Sequence, residues 1–325
     1  MRPWGRGLVA TPSAPSVTVA IASVGRPDDL EACIAALRLQ TDTPDEIVVV
    51  AQSSDAPTQA VATAAGLSTV IVTEPGLALA LQTAIRSTST DVIAFVDDDA
   101  RALPDWVGRI RQAYGADPNL GLFGGRDNVD GDRISGHADL PVGRLTRGKI
   151  AGNHHLGKGA FRVAEHVKGA NMSMRVAPAR RVPLGRLVAG TGAQSRNEFV
   201  LSLGVTSQGY GAAYDPGLQV DHFPAKRATG DERTSYTRER IIVQRHNEAL
   251  ALSLYSSRSQ TASYVLRALL VGDQKCCGLT VAIIKIARGE KAVLSKLGGT
   301  FGGVISGLRA ASRNRSTRYE DASNE

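Results

Sequence analysis

Short apolar runs alternate with amphipathic stretches over the first hundred residues of this chain. Val17 to Ile21 is apolar and β-branched, and it breaks at Ser23-Val24-Gly25-Arg26-Pro27. Asp28 and Asp29 then precede Leu30, Cys33, Ile34 and Leu37, a helical spacing with acids in its first turn. Glu46-Ile47-Val48-Val49-Val50 predicts a buried strand after Pro44, and Thr58 to Ala65 a short helix. Thr69 to Val72 is a third strand, Glu74-Pro75-Gly76 a turn, Leu77 to Arg86 a helix, and Val92 to Val96 a fourth strand. This alternation predicts βαβ units and a mainly parallel α/β sheet. Such sheets bind ligands beyond the carboxyl ends of their strands, and Asp97-Asp98-Asp99 stands at one such end.

Beyond the aspartates the pattern loosens. Trp106 to Tyr114 is amphipathic and helical. Residues 124–165 are rich in Gly, Asp, Arg and His with little periodicity, which predicts loops with short strands. Phe199 to Val205 predicts a helix closed by Gly209, and Val220 begins a short polar stretch through His222 to Pro224. Arg238 to Tyr255 carries Ile241, Ile242, Arg245, Ala249 and Leu252 at helical intervals. The remainder predicts two or three amphipathic helices broken at Gly289 and at Gly298-Gly299. The expected organisation is a disordered leader over 1–16, an α/β unit over 17–257 with halves at 17–100 and 101–257, a basic helical extension over 258–318 and a disordered end over 319–325.

Charge adds a partner class to this outline. From Arg267 to Arg318 there are ten Lys/Arg against Asp273 and Glu290, in a chain of 325 residues whose net charge is +7. The body is therefore near neutral and the extension basic, which suits an anionic surface or a solvated helix face. Aromatic residues for stacking bases are scarce there, so no specific nucleic-acid partner is expected. No run approaches the ~20 apolar residues of a membrane span. Three cysteines exclude a disulfide scaffold and suit a reducing cytoplasm.

Three adjacent carboxylates repel one another at neutral pH and are best tolerated around a divalent cation such as Mg²⁺ or Mn²⁺, shared with substrate phosphates. An acidic turn capping the helix near Trp106 is the alternative. Here five segments, in order, become informative together. Ser23-Val24-Gly25-Arg26-Pro27, Pro75-Gly76-Leu77-Ala78, Val96-Asp97-Asp98-Asp99-Ala100, Lys168 to Arg175 and Asn197-Glu198 with Tyr214-Asp215-Pro216 together resemble the family-two glycosyltransferases over Val17 to Leu254.

The resemblance implies a GT-A fold, with a mainly parallel sheet flanked by helices, a nucleoside-diphosphate sugar donor and a Mn²⁺ or Mg²⁺ cofactor. It places Ser23, Val24, Arg26, Gly76, Asp97 and Asp98 on the donor and Asp99 on the metal, with His222 beside it. Gly169, Asn171 and Met172 fall on the acceptor side, and Glu198 in the position of the general base. His154, in a Gly-rich segment, is a further candidate for the acceptor pocket. Two departures stand out. Ala51-Gln52 occupy the place of the family's base-reading Asp, leaving Asp55 as the nearest carboxylate, and Leu81-Gln82 replace its Arg-Asn. The Gln-x-x-Arg-Trp motif of processive synthases is absent, which implies single-sugar transfer to a glycan or polyprenyl-linked acceptor. The basic extension would then hold the enzyme peripherally on the anionic inner membrane face. A catalytically inactive nucleotide-binding scaffold is the second reading.

Overall fold

The computed structural model describes residues 14–224 and 236–320. Its first part alternates β1 (Val17–Ala22), α1 (Pro27–Arg38), β2 (Glu46–Gln52), α2 (Ala56–Ala64), β3 (Ser68–Val72), α3 (Leu77–Ser87), β4 (Val92–Val96) and β5 (Ala100–Ala102). There follow α4 (Trp106–Ala116), β6 (Leu120–Val129), β7 (Arg144–Thr146), β8 (Lys149–Ala151), β9 (Arg162–Ala164) and β10 (Asn171–Arg175). Then come α5 (Val176–Arg180), α6 (Leu184–Leu187), α7 (Asn197–Thr206) and β11 (Gly211–His222). The chain closes with α8 (Arg238–Tyr255), α9 (Arg258–Leu270), α10 (Leu279–Ala287) and α11 (Val293–Asn314).

Among the described residues one sheet runs β3-β2-β1-β4-β10-β6-β11-β5, with β9 also on β11. Strands β3 to β4 are parallel; β10 enters antiparallel between β4 and β6, and β11 returns parallel to β6. Strand β4 is buried along its whole length because helices cover both faces, as its continuous apolar run requires. Alternate side chains feed two cores. Val19 and Ile21 pack with Leu30, Ile34, Trp106 and Ile110 on one face. Ala20, Phe95 and Met172 pack with α3, α7 and α8 residues on the other.

Two expectations change. The loop expected from residue 124 is the second half of the buried strand β6. Its polar Gly124 to Asn128 hide the signal, yet the glycines are what let the strand fit. A β-carbon on Gly125 would stand 1.9 Å from the Leu218 carbonyl oxygen, where β11 bulges between Asp215 and Gln219. The second change concerns α11, which runs unbroken through Gly298-Gly299. Gly299, Gly303 and Gly307 lie four residues apart on one face. β-carbons there would stand 3.0, 2.6 and 2.3 Å from the carbonyl oxygens of Arg238, Ile242 and His246. The rising register on both helices makes α11 parallel to α8, and the missing side chains permit backbone contact. Gly289, with φ +71°, does end the preceding helix.

The extension is thereby packed along the α/β body. Tyr255 donates to the Arg318 carbonyl at 2.7 Å, and Glu320 N, within the expected end, donates to the Arg181 carbonyl at 2.8 Å. Ser16, assigned to the leader, donates from its backbone and hydroxyl to Asp91 at 2.9 and 2.8 Å. The rest of the expected leader up to residue 13, and the expected end over 321–325, lie outside the described residues.

Candidate active site

The aspartates sit where the sheet ends and a turn feeds β5. Strand β5 pairs antiparallel with the end of β11, placing His222 opposite Ala100. Non-local pairing therefore brings His222 Nε2 to 3.2 Å from Asp99 Oδ1, and Phe223 N donates to the Asp99 carbonyl at 2.9 Å. Asp97, Asp99 and His222 each offer a ligand atom, and these atoms lie within 4.8 Å of one another. Two carboxylate oxygens and an imidazole nitrogen form a donor set that fits Mn²⁺ or Mg²⁺. The aspartates do not cap the following helix, which starts instead after Asp105.

The surrounding charges hold this cluster. Arg26, from the turn before α1, meets Asp98 at 2.8 Å and Asp99 at 3.2 Å. Burial pushes Asp98 up to about 7 against the pull of that guanidinium. Asp97 is also raised, first by burial and then by the Asp99 charge. Burial disfavours the His222 imidazolium, but hydrogen bonds from it to Asp127 and Asp99 prevail and lift it to about 9. Asp127, on β6 and 1% exposed, is held near 2 despite burial because His222 and Lys168 surround its carboxylate. Lys168 Nζ donates to it directly.

Of the other donor-side candidates, Ser23 is buried and Val24 is exposed. The Asp55 carboxylate, expected on the nucleotide base, is used within the protein. It caps α2, accepting from Thr58 N at 3.2 Å and Thr58 Oγ1 at 2.6 Å, and it accepts from Gly25 N at 2.6 Å. Its carboxylate thus fixes the turn that presents Arg26. Gly76 has φ +147°, a conformation that excludes a side chain, and a β-carbon there would meet Gln194 Oε1 at 3.0 Å. That same amide oxygen accepts from Ala78 N at 2.9 Å at the start of α3. Gln194 therefore links the Pro75-Gly76-Leu77-Ala78 turn to the segment carrying Asn197 and Glu198.

Glu198 lies in the first turn of α7. Burial raises its carboxyl above the ordinary 4.5, and the Arg196 charge opposes the rise. Arg196 is drawn aside by Glu248, its Nε donating to Oε1 at 2.8 Å. Glu248, 1% exposed on α8, also accepts from Arg245 at 2.7 Å, Gln244 at 3.0 Å and Tyr264 at 2.7 Å. Asp97, His222, Glu198 and Glu248 all border one cleft of about 820 Å³, and Leu77, Lys168 and Gly169 line it too.

Three acceptor-side expectations are corrected. Asn171 is 1% exposed and its amide is used within the core. It accepts from Trp106 Nε1 at 2.8 Å and donates to the Arg126 and Leu218 carbonyls at 3.1 and 2.8 Å, bracing the β11 bulge. Met172, also 1% exposed, points into the sheet core. His154 is buried against His166 and Tyr214, with Nε2 at 3.2 Å from the His166 carbonyl oxygen. Gly169 alone of these lines the cleft. Sequence reasoning missed Asp127 and the Arg196–Glu248–Arg245 network. Glu248 does leave a signal, a charge inside an otherwise apolar helix period beside Ala249 and Leu252, whereas Asp127 stands between Arg126 and Asn128 and leaves none.

Comparison with known proteins agrees with this geometry. Residues 18–174 match the model for "Glycosyl transferase family 2". No curated protein matches the chain. Among solved structures, glucosyl-3-phosphoglycerate synthase from Mycobacterium tuberculosis, in complex with Mn²⁺, uridine diphosphate and phosphoglyceric acid, is 19% identical with TM-score 0.51. The match covers 75% of this chain and 80% of that one. The same enzyme with phosphoglyceric acid is 18% identical with TM-score 0.51, covering 77% and 85%. A crystal structure described as a mycobacterial protein is 17% identical with TM-score 0.50, covering 75% and 76%. The shared architecture is the GT-A fold.

Proposed function

We propose that the chain, whose residues 18–174 match the model for glycosyl transferase family 2, moves a single sugar from a nucleoside diphosphate to an acceptor hydroxyl, with inversion. One observation carries this reading: a single cleft holds Asp97 and His222 at the sheet edge and Glu198 on its wall. Glu198 and His222 both lie beyond the matched residues, so the site supports the family reading independently of the match.

Asp97, Asp99 and His222 would hold Mn²⁺ or Mg²⁺, consistent with the Mn²⁺ and uridine diphosphate of the mycobacterial synthase. When bound, the cation neutralises charge that grows on the leaving diphosphate. Arg26 and Lys168 are the nearby cations that hold the acidic wall together. Glu198, as carboxylate, takes the proton of the acceptor hydroxyl while that oxygen bonds to the anomeric carbon. The bond to the diphosphate oxygen breaks in the same step, and the proton remains on Glu198. Its burial favours this role, because a carboxylate with raised proton affinity is the better base at neutral pH. The retained Asp97, Asp99 and Glu198 favour the enzyme over an inactive scaffold. The test is nucleotide release from sugar nucleotides with Mn²⁺. Glu198→Gln is expected to lose about 10²- to 10⁴-fold in kcat with donor affinity kept; equal turnover removes Glu198 as the base.

A peripheral site on an anionic membrane is the proposed setting. Among the described residues no helix is long and apolar enough to cross a membrane. Leu279, Ile283 and Ile286 form an exposed apolar row on α10, and Leu266, Leu270 and Leu294 on α9 and α11 are exposed too. Residues 266–296 hold six Lys/Arg against Asp273 and Glu290. An exposed apolar row on a segment with this basic excess suits insertion among anionic headgroups.

A further inference from the structure

The cleft has a second, cationic end, built mainly by helices beyond residue 174. Arg240 from α8, Arg267 from α9, Lys275 from the α9–α10 connection and Lys149 from β8 all line it. Tyr236 draws two of these cations together: the Arg240 guanidinium lies 5.2 Å and Lys275 Nζ 5.0 Å from its ring centroid. An aromatic face attracts each cation but does not cancel its charge. Arg240 Nη1 is buried and makes no hydrogen bond among the described residues. Arg240 also sits in the first turn of α8, where the helix dipole adds positive potential.

The contrast with the other cations of the cleft is sharp. Lys168 pairs with Asp127, Arg196 with Glu248, and Arg245 with Glu248 and Asp273. Among the described residues no carboxylate pairs with Lys149, Arg240, Arg267 or Lys275. A buried charged donor left without a partner is costly, so Arg240 Nη1, with Lys275 gathered beside it on Tyr236, marks the place of an anion.

We propose that this end of the cleft binds a phosphate group carried by the acceptor, through Arg240 and Lys275 with Arg267 and Lys149 beside them. A phosphate monoester brings close to two charges and three acceptor oxygens, which matches several cations converging from different elements; a carboxylate brings one charge and two oxygens. The inference rests on the sugar-transfer reading of the cleft and names the class of its acceptor.

The experiment is calorimetric titration of inorganic phosphate into protein already saturated with Mn²⁺ and UDP, so that the donor end is filled. Phosphate is expected to bind the wild type, and Arg240→Gln and Lys275→Gln each to weaken it about ten- to a hundredfold. UDP affinity is expected to stay within about twofold of wild type, since these cations face the acceptor. A matching loss of UDP affinity overturns the proposal, because the cations then serve the donor diphosphate. Unchanged phosphate binding in both variants overturns it as well. Thermal unfolding separates binding from folding: phosphate is expected to raise the midpoint of the wild type and not of either variant, all three agreeing in its absence. Failure of UDP to bind while phosphate still does contradicts the donor reading and leaves the phosphate site standing. Displacement of phosphate by glycerol 3-phosphate supports a soluble ester, and displacement by phosphatidylcholine vesicles containing phosphatidic acid supports a lipid phosphate.

Discussion

Replacing Glu248 by Gln removes one charge from the most enclosed polar network of the cleft. In the fold this carboxylate is held at about 2 against an ordinary 4.5, because Arg245 and Arg196 outweigh the cost of burying it. A carboxyl lowered by that much contributes about 3 kcal/mol of stability at neutral pH. The contribution is complete above about 4.5 and is lost as pH falls through about 2. Glutamine keeps the shape and still accepts from Tyr264, but it leaves the buried Arg245 and the half-buried Arg196 facing a neutral amide. Breaking a buried ion pair from one side costs about 3–5 kcal/mol. Urea unfolding at neutral pH is therefore expected to show a loss of that size. The function follows the same charge. Freed from Glu248, the Arg196 guanidinium acts more strongly on Glu198, so the acid limb of the kcat profile moves to lower pH and kcat falls. A stability loss below about 1 kcal/mol, with an unchanged pH profile, refutes the network as described.

For the wild type, the acid limb of kcat is expected to have its midpoint above the ordinary carboxyl value of 4.5, because desolvation raises Glu198; a midpoint at or below that value counts against Glu198 as the base. Gly307→Val inserts a side chain where even a β-carbon would meet the His246 carbonyl oxygen at 2.3 Å, so unfolding free energy is expected to drop by at least about 1–3 kcal/mol. An unaffected variant disproves the close α8–α11 contact. Co-sedimentation with vesicles containing anionic lipid is expected at low salt, weakened at high salt and by Ile283→Asp or Ile286→Asp; equal binding to neutral vesicles contradicts the electrostatic part of that proposal.

The first half of the fold is legible in the sequence because its signals are local. Each buried strand is a continuous apolar run, each helix has its spacing, and the aspartates follow directly on Val96. What the sequence conceals depends on contacts between distant segments. His222 reaches Asp99 only through the pairing of β5 with β11. Asn171 stands beside the cleft in the chain, yet its amide turns inward to hold the β11 bulge. Asp55 is the nearest acid to a position that a nucleotide base would want, but capping α2 and holding Gly25 consumes it. Glycines mislead twice. A glycine inside a helix ordinarily costs about 1 kcal/mol relative to alanine, so Gly298-Gly299 reads as a break. In the fold, Gly299 lets two helix backbones meet. Gly124 and Gly125 likewise read as loop, while Val167 packed on Gly124 and the close approach of the β11 bulge to Gly125 are what demand them.

Asp97, Asp99 and His222 are the proposed metal-dependent sugar-nucleotide site. Its most direct test is calorimetric titration of UDP, GDP and dTDP into the purified protein, each with Mn²⁺ and then with EDTA, repeated with Asp99→Asn. One nucleotide is expected to bind with Mn²⁺, to lose that binding in EDTA, and to bind the variant at least about tenfold more weakly, since a charged ligand to the metal is gone. Binding of none of the three by folded protein, or binding indifferent to EDTA and to Asp99→Asn, contradicts the claim.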